Sequence, residues 1–455
     1  MKKMIAVVCS TLLLLSLSAC GGKKSESASK ESDDTVKLSK DFKDTEIVFW
    51  HAMAGGNGEA IEQIVKDYNA TQGKENGVKV TAVFQDKKIA SKVKMASSSR
   101  DNKNAPDVIQ TVGMDIPTIS KLPQVVSAQT FFDDKNSNIK TDDYYDQMLR
   151  AFTYEDKIVG VPMNASTLLL YYNEDLLKEL GYDKAPQTLD ELAEVTKKIK
   201  DTKGIDGLNS QIGRYQLANF IVSQFPESFM GDYEGGRKAP MTKLTIDKDG
   251  TLDKFLTEWE KVIKSGGLKY VEDNANEEFA TGTNGMALLS SSRLGAIKSL
   301  SAGKFQFQTA FLPKVSKDDT SGASVGGSSL VLYNRGDKKK LSAAWDFISY
   351  ATSPEVQAKW SQKTGYIPVN KETENLPDMK SFYSENPQFK VALDQMKASS
   401  PLAQEPFDLV NWEINDIVTD EMQKFAEGKI SKEECAKEIV SKSNKALDDY
   451  HQANS

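Results

Sequence analysis

Cysteine and histidine are the scarcest chemistry in this chain. Its 455 residues include 3 Cys, at positions 9, 20 and 435, and 2 His, at 51 and 451. No CxxC or HExxH occurs, which argues against a zinc or redox-metal centre. A Ser–His–Asp or Cys–His apparatus would rest on His51 alone, since His451 opens the last five residues. The Gly-rich "MAGGNGEA" at 53–60 lacks the Lys-Ser/Thr of a phosphate loop. Basic excess is missing too: 58 Lys and Arg face 65 Asp and Glu, a net charge of −7. That is the wrong sign for nucleic acid, which calls for basic stripes. After Leu17 no apolar run approaches the ~20 residues of a membrane-crossing helix. Paired carboxylates alone stay open as catalytic tools, because so many acids make chance pairs abundant.

The N-terminus reads as a processing signal. Lys2 and Lys3 precede an apolar stretch from Met4 to Leu17, then Leu17-Ser18-Ala19-Cys20-Gly21. Small residues before a Cys resemble a bacterial lipobox, which implies cleavage after residue 19 and lipidation of Cys20. Two acyl chains give the stable anchoring that one cannot. Residues 20–44 follow as a tether, because "GGKKSESASKESDDTVK" is too polar to offset the entropy of ordering. Losing Lys2 and Lys3 takes the charge from −7 to −9. With Cys9 removed and Cys20 acylated, only Cys435 is left, so no intramolecular disulfide can form.

The remaining ~415 residues exceed one typical core and predict two lobes. Strand-like and helix-like runs alternate. "EIVFWHA" (Glu46–Ala52) is β-rich, and Ile61, Ile64, Val65 and Tyr68 then recur at helical spacing. "VKVTAVF" (Val78–Phe84) and "DVIQTV" (Asp107–Val112) read as further strands. Thr188 with Glu191, and Ser431 with Glu434, have capping-box spacing; Ser353-Pro354 reads as an N-cap followed by a first helical position. "GMALLSSSRLGAI" (Gly285–Ile297) reads as strand, turn and helix start, and "SSLVLYN" (Ser328–Asn334) as a buried strand. Such alternation predicts an α/β fold with mostly parallel sheets.

Ligands of open α/β sheets sit beyond the carboxyl ends of strands. Three such places carry small or polar residues: "FWHAMAGGNG" after the first strand, "QTVGMD" ending at Asp115, and "LLSSSR" around Ser290. Each is equally readable as a turn that happens to hold Ser or Gly.

Five stretches together carry a family resemblance: "FWHAM" (Phe49–Met53), "NASTLLLYYNEDLL" (Asn164–Leu177), "TLDEL" (Thr188–Leu192), "GGSSL" (Gly326–Leu330) and "SPEVQAKWSQKTGYIPV" (Ser353–Val369). In order and spacing the chain resembles extracellular solute-binding proteins of ABC importers, carbohydrate-type family 1, and in particular the sn-glycerol 3-phosphate branch. The resemblance implies a periplasmic-binding-protein-like fold: two α/β lobes joined by hinge crossings, with ligand between. It implies lobe 1 at 45–165 plus 329–368 and lobe 2 at 166–328 plus 369–455. It assigns ligand contacts to Ser166, Gly327 and Tyr366 on the three crossings, and to Ser290. The first-strand segment adds Trp50 and His51, and the wall formed by "SQIGRY" adds Gln211, Arg214 and Tyr215. Four places depart from the branch: Gly113 stands where it has an acid, leaving Asp115 nearest; "SQIGRY" stands where it has tryptophans; Asp416 stands where it has an arginine; and a first-lobe Tyr is replaced around Lys88 and Ile89. Exchanging Arg for Asp removes the bidentate partner a phosphate prefers, so the set suits a phosphodiester or a neutral polyol. Trp50, Trp412 and Tyr215 are either platforms for a sugar face or core aromatics.

The expectation is therefore a monomeric, lipid-anchored receptor on the outer face of a bacterial, Gram-positive cell membrane. It hands a sugar, polyol or glycerol-phosphate compound to the ABC permease, without cofactor, metal or nucleic acid. The rival reading is an extracellular hydrolase of glycosides or phosphodiesters using paired carboxylates.

Overall fold

Two sheets of matching design organise the computed structural model, which describes residues 36–86, 89–99, 103–270 and 274–454. Signal peptide, Cys20 and most of the tether lie outside the described residues. The first sheet is built from β1 (Thr45–His51), β2 (Val78–Phe84), β3 (Val108–Val112), β4 (Val125–Val126) and β5 (Val161–Ser166). The second uses β6 (Leu168–Asn173), β7 (Asp206–Asn209), β8 (Leu268–Lys269), β9 (Asn284–Ser290) and β10 (Phe307–Phe311); β11 (Gly326–Tyr333) returns to the first.

The strand order is β2-β1-β3-β11-β4 in one sheet, with β5 also pairing β11, and β8-β7-β9-β6-β10 in the other. In each, three strands run parallel and the fourth is antiparallel to them. That fourth strand is the one that has just crossed over: β6 arrives from β5 through Thr167, and β11 arrives from β10 through residues 312–325.

Alternation places the core residues. Ile47 and Phe49 of β1 pack with Ile61, Val65 and Tyr68 of the helix Gly55–Ala70, whereas Trp50 packs on the opposite face with Ile109 and Val331. Along β6, Leu168 and Leu170 join the second lobe's core beside Phe220 and Trp259. Leu169 and Tyr171 face the other way, into a core that runs on through Trp360 and Tyr366 to the first lobe. A strand buried on both faces explains why "TLLLYY" carries no alternation.

The expected helix starts are present with local differences. The Glu191 amide donates to Thr188 Oγ1 at 3.2 Å, but the Glu191 carboxylate accepts from Gln187 rather than from Thr188. The Glu434 amide donates to Ser431 Oγ at 3.2 Å. Ser353 precedes the helix Pro354–Thr364 without a side-chain cap bond. The tether expectation needs correction at its end: Val36 is buried, and Leu38 and Phe42 pack on the first lobe's core. The Leu38 amide also donates to Asp134 at 2.8 Å and the Ser39 amide to Ser342 at 2.8 Å. Three apolar residues suffice to dock a segment whose average composition is polar. Among the described residues no helix is long and apolar enough to cross a membrane, and no group of three or more His, Cys, Asp or Glu is placed to hold a metal.

Candidate functional site

The three connections between lobes lie side by side. β5 pairs antiparallel with β11, setting Ser166 opposite Gly326, Ala165 opposite Gly327 and Asn164 opposite Ser328. On the other flank the Ile367 amide donates to the Ala165 carbonyl at 2.8 Å. Ala165 is thus held between the second and third crossings. Gly327 is required here: its φ is 138°, and a Cβ would lie on the Asn164 carbonyl oxygen. Only glycine tolerates both the dihedral and the approach.

A cavity of about 250 Å³ opens over these crossings. Its first-lobe wall is Met53 and Val112–Met114, just beyond the carboxyl ends of β1 and β3, with Phe152. Asn164, Gly326–Ser328 and Tyr366 form its floor, Tyr215, Arg237 and Glu405 its second-lobe wall, and Phe407 packs into the first-lobe core beside Phe152. A side cavity of about 410 Å³ continues past Tyr215, lined by Gln211, Ser290 and Arg293 among others.

The polar groups are individually fixed. Asn164 Oδ1 accepts from Gln110 Nε2 at 3.1 Å and from the Ser328 hydroxyl, which leaves its Nδ2 donor for other partners. Tyr366 stacks on Trp360, centroids 5.5 Å apart, with the Ser292 hydroxyl beside its phenol. Ser292 Oγ donates in turn to Ser290 Oγ at 3.0 Å. Ser290 also lies beside the buried Tyr215 hydroxyl, which has no well-aligned hydrogen-bond partner. Arg237 lies over the Phe407 ring at 4.0 Å and donates to the carbonyls of Arg150 and Glu405, each at 2.7 Å. Burial, with Arg150 nearby, draws the Arg237 pKa down to about 9. Burial lifts the Glu405 carboxyl above its ordinary range, against the pull of Arg214 and Arg237.

The cleft thus takes walls from both lobes and its floor from the connections between them. The sequence matches the family model of bacterial extracellular solute-binding proteins over residues 63–391. The chain belongs to this family.

It is a substrate-binding protein of an ABC importer, an extracellular class that binds small-molecule solutes. The chain is 27% identical over 423 residues to the sn-glycerol-3-phosphate-binding periplasmic protein of Yersinia pseudotuberculosis, covering 90% of this chain and 94% of that one. It is 28% identical over 420 residues to the protein of the same name from Shigella dysenteriae, covering 89% and 92%. In fold it is similar to the sugar-binding protein MalE of Xanthomonas citri (TM-score 0.75, 22% identity, 90% and 99% covered). It is also similar to UgpB of Mycobacterium tuberculosis in complex with glycerophosphocholine (TM-score 0.72, 21% identity, 90% and 99% covered).

In this solute-binding protein, Gly327, Tyr366 and Tyr215 line the main cavity, and Ser290, Gln211 and Tyr215 line the side cavity. Ser166 is buried in β5 outside both linings. Asp115 follows the lining residues Gly113 and Met114; among the described residues its carboxyl has no hydrogen bond or ion pair, and burial pushes its pKa up to about 6. His51, 2% exposed, has both ring nitrogens unbonded with Glu62 at 3.6 Å, and burial holds its pKa below the ordinary value.

Ser166, Asp115 and His51 belong to neither lining, and four further expected contacts lie elsewhere. Trp50 is buried in the first-lobe core cluster with Ile109, Phe152 and Phe407 and is in neither lining. Arg214 is 2% exposed and consumed by Asp408, with Nε to Oδ2 at 2.7 Å. Trp412 and Asp416, one helical turn apart on the helix Asn411–Ala426, are exposed to solvent. The acid in the main cavity's lining is Glu405 instead. Arg237, Glu405 and Phe407 escaped the sequence reading because they sit in aperiodic loops. Their available signals were "EGGRK" and the proline-flanked "PLAQEPFD".

Proposed function

We propose that this protein captures a sugar, polyol or glycerol-phosphate compound in the cavity over the three crossings and presents it to an ABC permease in the closed form. The single observation carrying this reading is that one cavity takes walls from both lobes and floor from every crossing. A solute seated there favours the closed arrangement because only then do both walls touch it. Micromolar binding needs about 8 kcal/mol, within reach of the Asn164, Tyr215, Tyr366 and Glu405 groups acting with aromatic faces in a dry cleft. Binding without turnover fits the lining: among the described residues Glu405 is its one acid, and Arg214 Nη1 stands 3.7 Å behind that carboxylate. A lipid on Cys20 would hold the receptor on the outer face of the membrane as a monomer.

Calorimetry on the purified protein tests this against sugars, polyols, sn-glycerol 3-phosphate and glycerophosphocholine. A micromolar binder whose affinity falls in Tyr215→Phe and Tyr366→Phe is expected. A physiological solute bound with unchanged affinity by the double variant overturns the assignment of this cavity.

A further inference from the structure

Resting on that reading of the cavity, we infer that Glu405 makes the cleft selective for an uncharged polyhydroxyl solute and against phosphomonoesters. The argument is one of charge and of which donors remain free. Glu405 is the acid of the main lining, and its carboxylate packs against the bare backbone of Gly326 on the second crossing.

A phosphate would need cations facing it: Arg293 lines only the side cavity, and the two candidate guanidiniums at the main cavity are occupied. Arg214 lies behind the wall. Its Nη2 is 2.6 Å from Asp408 Oδ2 and 2.7 Å from the Pro406 carbonyl, while its Nε is also bonded to Asp408. Asp408 cancels its charge, and what field remains reaches the cavity through Glu405. Arg237 does line the cavity, but Nη1 is spent on the Arg150 carbonyl and Nη2 on the Glu405 carbonyl. Its guanidinium plane lies against Phe407. The parallel pair of N–H groups that grips a phosphate is therefore not on offer. Among the described residues no lysine joins the main lining. An anion entering here would lose its hydration beside a fixed carboxylate and gain no fork in return.

Hydroxyl groups fit the same wall. Each both donates and accepts, and the cavity supplies an acceptor in Glu405, a donor in Asn164 Nδ2 and a two-way group in the Tyr215 hydroxyl, which has no well-aligned partner among the described residues. Phe152, Tyr366 and Phe407 supply apolar area for the C–H face of a sugar ring. The side cavity past Tyr215 gives room for a second ring. A carboxylate among aromatics also suits an organic cation. Here, however, Arg237 already occupies a face of Phe407, and a second cation would meet like charge.

The test begins with the unmodified protein, so it does not depend on any variant folding. Titrations with maltose and other neutral mono- and disaccharides, sn-glycerol 3-phosphate, glycerophosphocholine and choline are compared. Expected is a neutral sugar bound at least 10-fold more tightly than sn-glycerol 3-phosphate, with Glu405→Gln weakening the sugar about 10-fold and narrowing that ratio. Preferred binding of sn-glycerol 3-phosphate that is lost in Tyr215→Phe overturns the role of Glu405 while leaving the cavity in place. Preferred choline or glycerophosphocholine binding lost in Glu405→Gln overturns the neutral class in favour of a cation. A preferred solute indifferent to Tyr215→Phe and Tyr366→Phe overturns the cavity itself.

Discussion

Arg150 Nη2, in the first lobe, stands 2.7 Å from Glu234 Oε2 in the second. Lys238 of the second lobe pairs in the same way with Asp156 of the first, and the Glu155 amide donates to the Arg237 carbonyl at 2.9 Å. Both partner turns are in the left-handed region: Glu155 and Asp156 have φ of 48° and 62°, Tyr233 and Glu234 of 53° and 55°. Such residues cost of order 1 kcal/mol each and persist where surrounding contacts over-determine them. The two strained turns meet across the lobe boundary, where the contact would act as a clasp on a closed cleft. Arg150→Ala is expected to weaken solute binding about 2- to 5-fold, since a half-exposed pair contributes ~0.5–1 kcal/mol. The deficit should shrink in high salt. Titration at two ionic strengths checks this; a lower melting temperature with unaltered affinity would mean the pair serves folding instead.

Gly327→Ala is expected to destabilise the protein by about 2–4 kcal/mol, combining an adverse φ with a collision against the neighbouring crossing. Urea unfolding measures it. Wild-type stability in this variant would show that the second crossing can move away from Asn164, and the hinge would then be looser than its pairing implies.

What the sequence made legible was whatever repeats locally. The parallel pairing of β1 with β2, the helix Gly55–Ala70 and the strand–turn–helix at Asn284–Ser301 all follow from apolar period and turn residues. Long-range partners were not legible. Arg214 read as a free cation because Asp408 lies 194 positions away. Trp50 read as a cleft residue because a strand's parity cannot be assigned to a face before its neighbours are known. Glu405 was passed over for Asp416 because its loop has no period, and only folding against Gly326 gives it a place.

Asp115 should make stability fall as pH rises. Its pKa is about 6 in the folded protein against an ordinary 3.8, so between those values the folded state binds more protons than the unfolded one. Stability then declines across that window, and the cost is complete above it. Asp115→Asn should abolish this slope and raise stability at neutral pH by about 1–2 kcal/mol, allowing for solvent screening in the cleft. Melting curves from acid to neutral pH decide the matter. An unchanged slope would show that another acid is responsible.

Arg214 and Asp408 should behave as one unit. They are 2% and 1% exposed, and neither has an alternative partner of opposite charge at hydrogen-bond distance among the described residues. Removing Arg214 strands the Asp408 charge in the interior, and removing Asp408 leaves Arg214 only the longer contact to Glu405, so Arg214→Ala should cost about 3–5 kcal/mol and Asp408→Ala somewhat less. Replacing both removes the stranded charge, and the pair Arg214→Met with Asp408→Leu should lose far less than the two single losses combined, because desolvation of a buried pair nearly cancels its attraction. The same logic separates the pair from the solute. Arg214 reaches the cavity only through Glu405, so the doubly replaced protein should keep measurable solute binding once folded. Additive losses in the double variant would mean the two charges are independent, and Arg214 would then have to be reconsidered as a group that turns toward the cleft.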